Sequence, residues 1–165
     1  MPRKDSARLT KVSVSLPFGI GSAEWQADST ERRAAWELYV ELVTRIAVQP
    51  LAEGEGLLRE ALSSLHSLFS TTRETLRKYG PDVGASRDSI GGIAIAVLNQ
   101  GLRPFLAKWH PELQMWDSQR TAERSPKEHE KSWPREKQLR DELEKLRGEL
   151  VKYAEALARI AGVSQ

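Results

Sequence analysis

The sequence predicts an all-α fold, an antiparallel four-helix bundle with a short N-terminal β-hairpin or strand. Three observations carry that expectation. Two long segments repeat apolar residues in alternating steps of four and three. Helix start and stop signals bracket the segments between them. A period-two alternation around a Gly/Pro loop comes before all of them. A length of 165 residues suits one compact domain, here 11–165, with a sizeable core.

Residues 1–10 read as a flexible basic N-terminus carrying Arg3, Lys4 and Arg8. Residues 11–27 read as a β-hairpin arm. Val12, Val14 and Leu16 alternate with Ser13 and Ser15; beyond Pro17-Phe18-Gly19-Ile20-Gly21, Ala23, Trp25 and Ala27 alternate with Ser22, Glu24 and Gln26. An isolated two-stranded hairpin is marginal in water. Either it lies on the helices that follow, or its free edge pairs with another chain.

The first helix is expected over 30–49. Asp28, Ser29 and Thr30 offer capping oxygens, and Glu31 sets a carboxylate at the positive helix end. Ala35, Leu38, Tyr39, Leu42, Val43 and Ile46 form one face, and Pro50 marks the stop. The second helix, 56–79, carries the seam Leu58, Leu62, Leu65, Phe69, Thr72, Leu76 and Tyr79, closed by Gly80-Pro81. The third, 89–110, buries Ile90, Ile93, Ala94, Val97, Leu98, Leu102, Phe105 and Trp109. Gly91 and Gly92 permit close backbone approach there. Pro104 cannot donate to the Gln100 carbonyl, and Gly101 lies beside that gap, so a kink or break is expected.

Residues 117–132 contain no large apolar side chain and read as a polar connection, either a mobile linker or a solvated helical extension. The fourth helix, 134–162, starts with Pro134 in its first turn. Its seam of Leu139, Leu143, Leu146, Leu150, Tyr153, Leu157 and Ile160 is the most regular pattern in the chain.

Composition narrows function only a little. There is no Cys, which excludes disulfides and thiolate chemistry and fits a reducing compartment. A formal net charge of +2 is close to neutral and does not by itself predict nucleic acid. The stretch after Lys11 is interrupted by Ser13, Ser15 and Pro17, too polar for a signal-peptide core. The most apolar run, Ile93 to Leu98, falls far short of the roughly 18 residues a spanning helix needs. A cytoplasmic protein without a transmembrane segment is expected.

A helical bundle invites a di-metal test, which needs Glu-x-x-His pairs facing inward. The three histidines, His66, His110 and His129, stand three residues after Ser63, Ala107 and Pro126, so no such pair exists. With no Cys and dispersed histidines, a structural zinc site is not expected either. His66 flanks the second seam, His110 sits where the third helix is expected to end, and His129 reads as solvated. Pro17 to Ala23 lacks the Lys-Ser/Thr pair of a phosphate loop. From Asp117 to Glu149 nine basic and nine acidic residues intermix, which describes a solvated face rather than a phosphate-binding one. No catalytic residue, metal or cofactor is assigned, and no enzyme is expected.

The most distinctive stretch is 98–117, which joins Arg103, Phe105, Trp109, Met115 and Trp116 around a helix break. Aromatic residues, Met and Arg are what protein interfaces use as anchors. Phe105 and Trp109 fit the core at helical spacing; Trp116 and Trp133 have polar surroundings in sequence. The expected function is therefore a non-enzymatic protein–protein interaction module, an accessory or adaptor subunit of a multi-protein assembly. Bacterial defence or toxin regulation is one setting for such a subunit. The partner-binding residues are Val12, Val14, Leu16 and Trp25 on the hairpin, and Arg103, Met115, Trp116 and Trp133 at the aromatic stretch. The partner is another protein chain or a second copy. The alternatives are a self-assembling coiled-coil scaffold, or a nucleic-acid or membrane-surface binder working through the basic N-terminal arm.

Overall fold

The computed structural model describes residues 11–84 and 88–163, so the expectation for residues 1–10 lies outside the described residues. The fold is mostly helical with one short two-stranded antiparallel sheet. Strands β1 (Val12–Leu16) and β2 (Gly21–Trp25) pair Val12 with Trp25, Val14 with Ala23 and Leu16 with Gly21. Phe18 and Gly19 both take positive φ, at 56° and 70°, and the Ile20 amide donates to the Pro17 carbonyl at 3.1 Å. That is the primed turn whose twist matches a hairpin.

The hairpin lies on the helices. Val14 and Trp25 are buried in the main core, and β1 packs along the C-terminal helix. The Phe18 amide donates to Glu149 Oε2 at 2.8 Å, which ties the turn to that helix as well.

Helix α1 (Ser29–Val43) opens with a capping box. The Glu31 amide donates to Asp28 Oδ1 at 2.8 Å and the Asp28 amide reaches back to Glu31 Oε2 at 3.4 Å. It is shorter than the 30–49 expected. The Thr44 hydroxyl bonds the Val40 carbonyl and Arg45 turns extended, so the chain leaves the helix and re-enters a 3₁₀ turn at Ile46–Val48. Ala47 and Val48 then fill the core, while Ile46 is exposed.

Helix α2 (Leu58–Tyr79) ends on Gly80 at φ 78°, whose amide bonds the Leu76 carbonyl, followed by a 3₁₀ turn at Pro81–Val83. Helix α3 (Ile90–Asp117) is a single helix of 28 residues. Ser89 caps it through the Gly92 amide at 3.1 Å. Gly91 is required by packing, because a Cβ there would stand 2.7 Å from the Val83 carbonyl oxygen. Where a kink or break is expected at Gly101 and Pro104, the α-helical pattern is interrupted by a π-helical segment, Val97–Leu102. The Arg103 amide reaches back five residues to the Leu98 carbonyl, and Pro104, which has no amide to donate, follows directly after the segment.

The expected end of this helix near His110 is also corrected. Pro111 sits inside it and the helix runs on to Asp117, because the fully buried Trp109 and Leu113 hold the turns on either side in the core. As a continuous helix α3 becomes long and apolar enough, by length and composition, to cross a membrane, which the run Ile93 to Leu98 alone did not suggest. Half of its most apolar window is buried inside the fold.

Part of the polar connection is helical. Ser125 caps α4 (Pro126–Lys131), whose His129 and Glu130 are buried, in contrast to the solvated His129 expected. Helix α5 (Glu136–Ala161) begins two residues after Pro134 and ends on Gly162 in the left-handed region. Every seam residue from Leu139 to Ile160 is buried within the one chain.

The long helices meet in antiparallel pairs. Arg32 Nε, at the start of α1, points at the Ala161 carbonyl at the end of α5, 3.4 Å away. Glu37 of α1 pairs with Lys78 near the end of α2. Arg59 at the start of α2 pairs with Asp117 at the end of α3 at 2.7 Å. Lys108 of α3 pairs with Glu142 near the start of α5 at 2.9 Å.

Candidate functional site

Trp109 anchors the end of the molecule where α3, α4 and α5 converge. It is fully buried, and its Nε1 donates to Glu142 Oε2 at 2.6 Å. The Arg135 guanidinium lies over its ring at 4.4 Å, and Trp133 meets it edge-on at 6.0 Å. Hydrogen bonding from Lys108, which outweighs partial burial, holds the Glu142 carboxyl below the usual carboxylate range; the Trp109 indole adds to it.

Two turns along, Trp116 and His129 stack at 4.6 Å with 10° between their planes. Trp116 Nε1 donates to the His129 carbonyl at 2.8 Å, and His129 Nε2 meets the Trp116 carbonyl at 2.5 Å. A carbonyl only accepts, so Nε2 is the protonated ring nitrogen. The next residue, Glu130, accepts from the Leu58 amide at 2.7 Å and the Arg59 amide at 3.4 Å. Leu57 has no side chain that can cap α2, and a carboxylate from 72 residues away does so instead. Burial raises the Glu130 pKa, and the two amides offset only part of that rise.

These contacts seat the polar connection and leave a shallow cleft of about 370 Å³ between α3 and the start of α5. Met115, Trp116 and Trp133 line it with Pro111, Glu112 and Gln119. Three of the eight residues expected to bind a partner therefore meet at one place. Met115 is 68% exposed and stands free on the rim. Trp116 is half-buried, and Trp133 is buried against Trp109 and contributes only an edge.

The other expected residues fall elsewhere. Val14 and Trp25 belong to the core under the hairpin, and Val12 and Leu16 are half-buried beside them. Arg103 is exposed on α3 in a different groove, where its guanidinium lies 5.0 Å from the Phe69 ring centre.

Two further surfaces escaped the sequence reading. Trp36 and Val40, exposed one turn apart on α1, overhang a cleft of about 320 Å³ against α2. Their spacing off the Ala35–Leu38–Leu42 stripe is the signal that could have found them. A larger cleft, about 780 Å³, runs between the 47–54 loop and α5. Its charges balance, with Arg140 on Glu136, Lys137 on Asp141 and Arg147 on Glu144, so it presents no net sign to a ligand.

Among the described residues no group of three or more His, Asp or Glu is arranged to hold a metal ion. Comparison of the chain with protein-family models, with curated proteins and with solved structures finds no match.

Proposed function

We propose that this chain is a non-enzymatic protein–protein interaction module, an adaptor or accessory subunit that presents the Met115 cleft to a different protein. The antiparallel pairs α1–α5, α1–α2, α2–α3 and α3–α5 close, in this reading, into a four-helix bundle with the hairpin laid over α5. In this reading α3 is a core helix of a water-soluble cytoplasmic protein, since most of its large apolar side chains are buried, with Ile95 and Met115 the exposed exceptions.

The observation that carries the proposal is the exposure of Met115 beside two tryptophans held in fixed positions. A flexible, polarisable thioether next to rigid aromatic walls suits a surface that receives an apolar side chain. The walls are ordered in advance: Trp116 by its reciprocal bonds with α4, Trp133 by Trp109. Binding there would cost little side-chain ordering. The self-assembling alternative has less support, because the α5 seam on which it rests is covered within one chain.

A photo-crosslinking residue at Gln119, on the cleft rim, tests the reading in the native host. The proposal expects one adduct with a different polypeptide, lost when Met115→Lys is added. No adduct, or one indifferent to Met115→Lys, would overturn it, and an adduct between two copies would transfer support to self-assembly.

A further inference from the structure

On the other side of Pro111 from the Met115 cleft, α2 and the C-terminal half of α3 enclose a second groove of about 380 Å³. Arg73 comes from one helix and Arg103 from the other, with guanidinium carbons 5.9 and 5.0 Å from the centre of the same Phe69 ring. His66 and His110 face each other across the groove at 6.0 Å. No carboxylate lines it; the remaining wall is mainly apolar, from Leu106, Ala107 and Pro111.

The groove therefore carries charge of one sign only. Lys137, Arg140, Arg147 and Lys152 along α5 pair with acids three or four residues away. Among the described residues Arg73 and Arg103 make no ion pair, and Arg103 Nε donates only to Asn99 Oδ1 at 3.2 Å. The Nδ1 atom of His110 is buried with no hydrogen-bond partner. Buried polar atoms are nearly always paired, so this nitrogen is an exception in the groove wall, and it presents no surface to the groove itself. Burial first, then the Arg59 guanidinium and the His66 imidazole, hold His110 below the ordinary imidazole range.

We propose that this groove binds a small phosphate monoester, its phosphate held between Arg73 and Arg103 beside His66 and His110 and its apolar body laid on Leu106 and Pro111. A phosphate dianion supplies acceptors for two guanidiniums from opposite walls and for imidazole N–H groups at once. The groove is of a size for a metabolite-scale ligand. The groove adjoins the Met115 cleft at Pro111, which lines both, but the phosphate-holding residues belong to the groove alone.

The test is an NMR titration of the histidine ring protons in the full chain at constant ionic strength, with inorganic phosphate and with phenyl phosphate. His129, packed under Trp116, serves as the internal control. The proposal expects His66 and His110 to shift and His129 to stay, with phenyl phosphate saturating below about 1 mM and more tightly than inorganic phosphate. Arg73→Gln and Arg103→Gln, both at exposed positions that leave the core intact, should each weaken binding about tenfold. Equal shifts at all three histidines, or variants that bind like the parent, would overturn the site. Tighter binding of a single-stranded oligonucleotide, lost in the same variants, would overturn the assignment to a small ligand.

Discussion

The Phe18 ring at the tip of the hairpin rests on the α3 backbone at Gly101, so closely that a Cβ on Gly101 would stand 2.4 Å from it. The two residues fit because each departs from the ordinary. Phe18 takes a left-handed φ of 56°, and Gly101 lies in the π-helical segment of α3. Left-handed backbone is uncommon for a bulky residue, and the ring's docking, with the bond from its amide to Glu149, offsets that strain. Gly101→Ala should therefore lower stability by about 1–3 kcal/mol through overpacking. Adding Phe18→Ala removes the clash, so the double variant should lose less than the sum of the two single ones in thermal unfolding followed by circular dichroism.

Glu130 holds the start of α2 from a distance, and removing its carboxylate leaves two backbone donors unpaired. Glu130→Ala should cost about 1–3 kcal/mol in urea unfolding. Glu130→Gln, which keeps an acceptor, should cost less.

The same residue has a pH signature. Its folded pKa lies above the ordinary value of 4.5, so between the two the folded state binds more protons than the unfolded. Stability relative to Glu130→Gln should then be greatest below about 4.5 and fall as pH rises through the raised pKa. Unfolding midpoints of the two proteins from pH 4 to 8 measure the difference, and a parallel pair of curves would contradict it.

Glu142 should behave in the opposite sense. Lys108 and the Trp109 indole hold its carboxyl below the ordinary 4.5, so its contribution is fully present above that value and is lost as pH falls through the depressed pKa. Against Glu142→Gln, the parent should lose stability only on acidification below about 4.5. Acid titrations monitored by Trp fluorescence read this directly, since Trp109 is the bonded indole.

Trp133 and Met115 line one cleft yet should part company in stability. Trp133→Ala opens a hole against Trp109 and should cost about 3–5 kcal/mol. Met115→Lys, at a position 68% exposed, should change stability by less than about 0.5 kcal/mol. Only the second substitution is suited to testing the interaction surface.

Much of this architecture was legible because periodic burial writes itself into sequence. The α5 seam could be read position by position, and the Asp28 and Gly80-Pro81 signals mark real helix ends. What escaped depends on partners distant in the chain. His129 and Glu130 sit in a run of polar residues, and nothing local says that one stacks on Trp116 and the other caps a helix 72 residues away. Pro111 suggested a helix end because its missing amide is a local fact, whereas the burial of Leu113 that carries the helix onward is a tertiary one. The cleft was partly visible, in Met115, Trp116 and Trp133. The groove of His66 and His110 was not, since only the antiparallel pairing of α2 and α3 brings residues 44 apart face to face.

The central claim is that this chain closes its own apolar seams and keeps the Met115 cleft for a different protein. The solution mass by light scattering, at two protein concentrations and two salt levels, tests it most directly. The account predicts a monomer of 18.6 kDa under all four conditions, with Leu146→Lys unfolding that monomer. A defined oligomer that Leu146→Lys dissociates into folded monomers would contradict it.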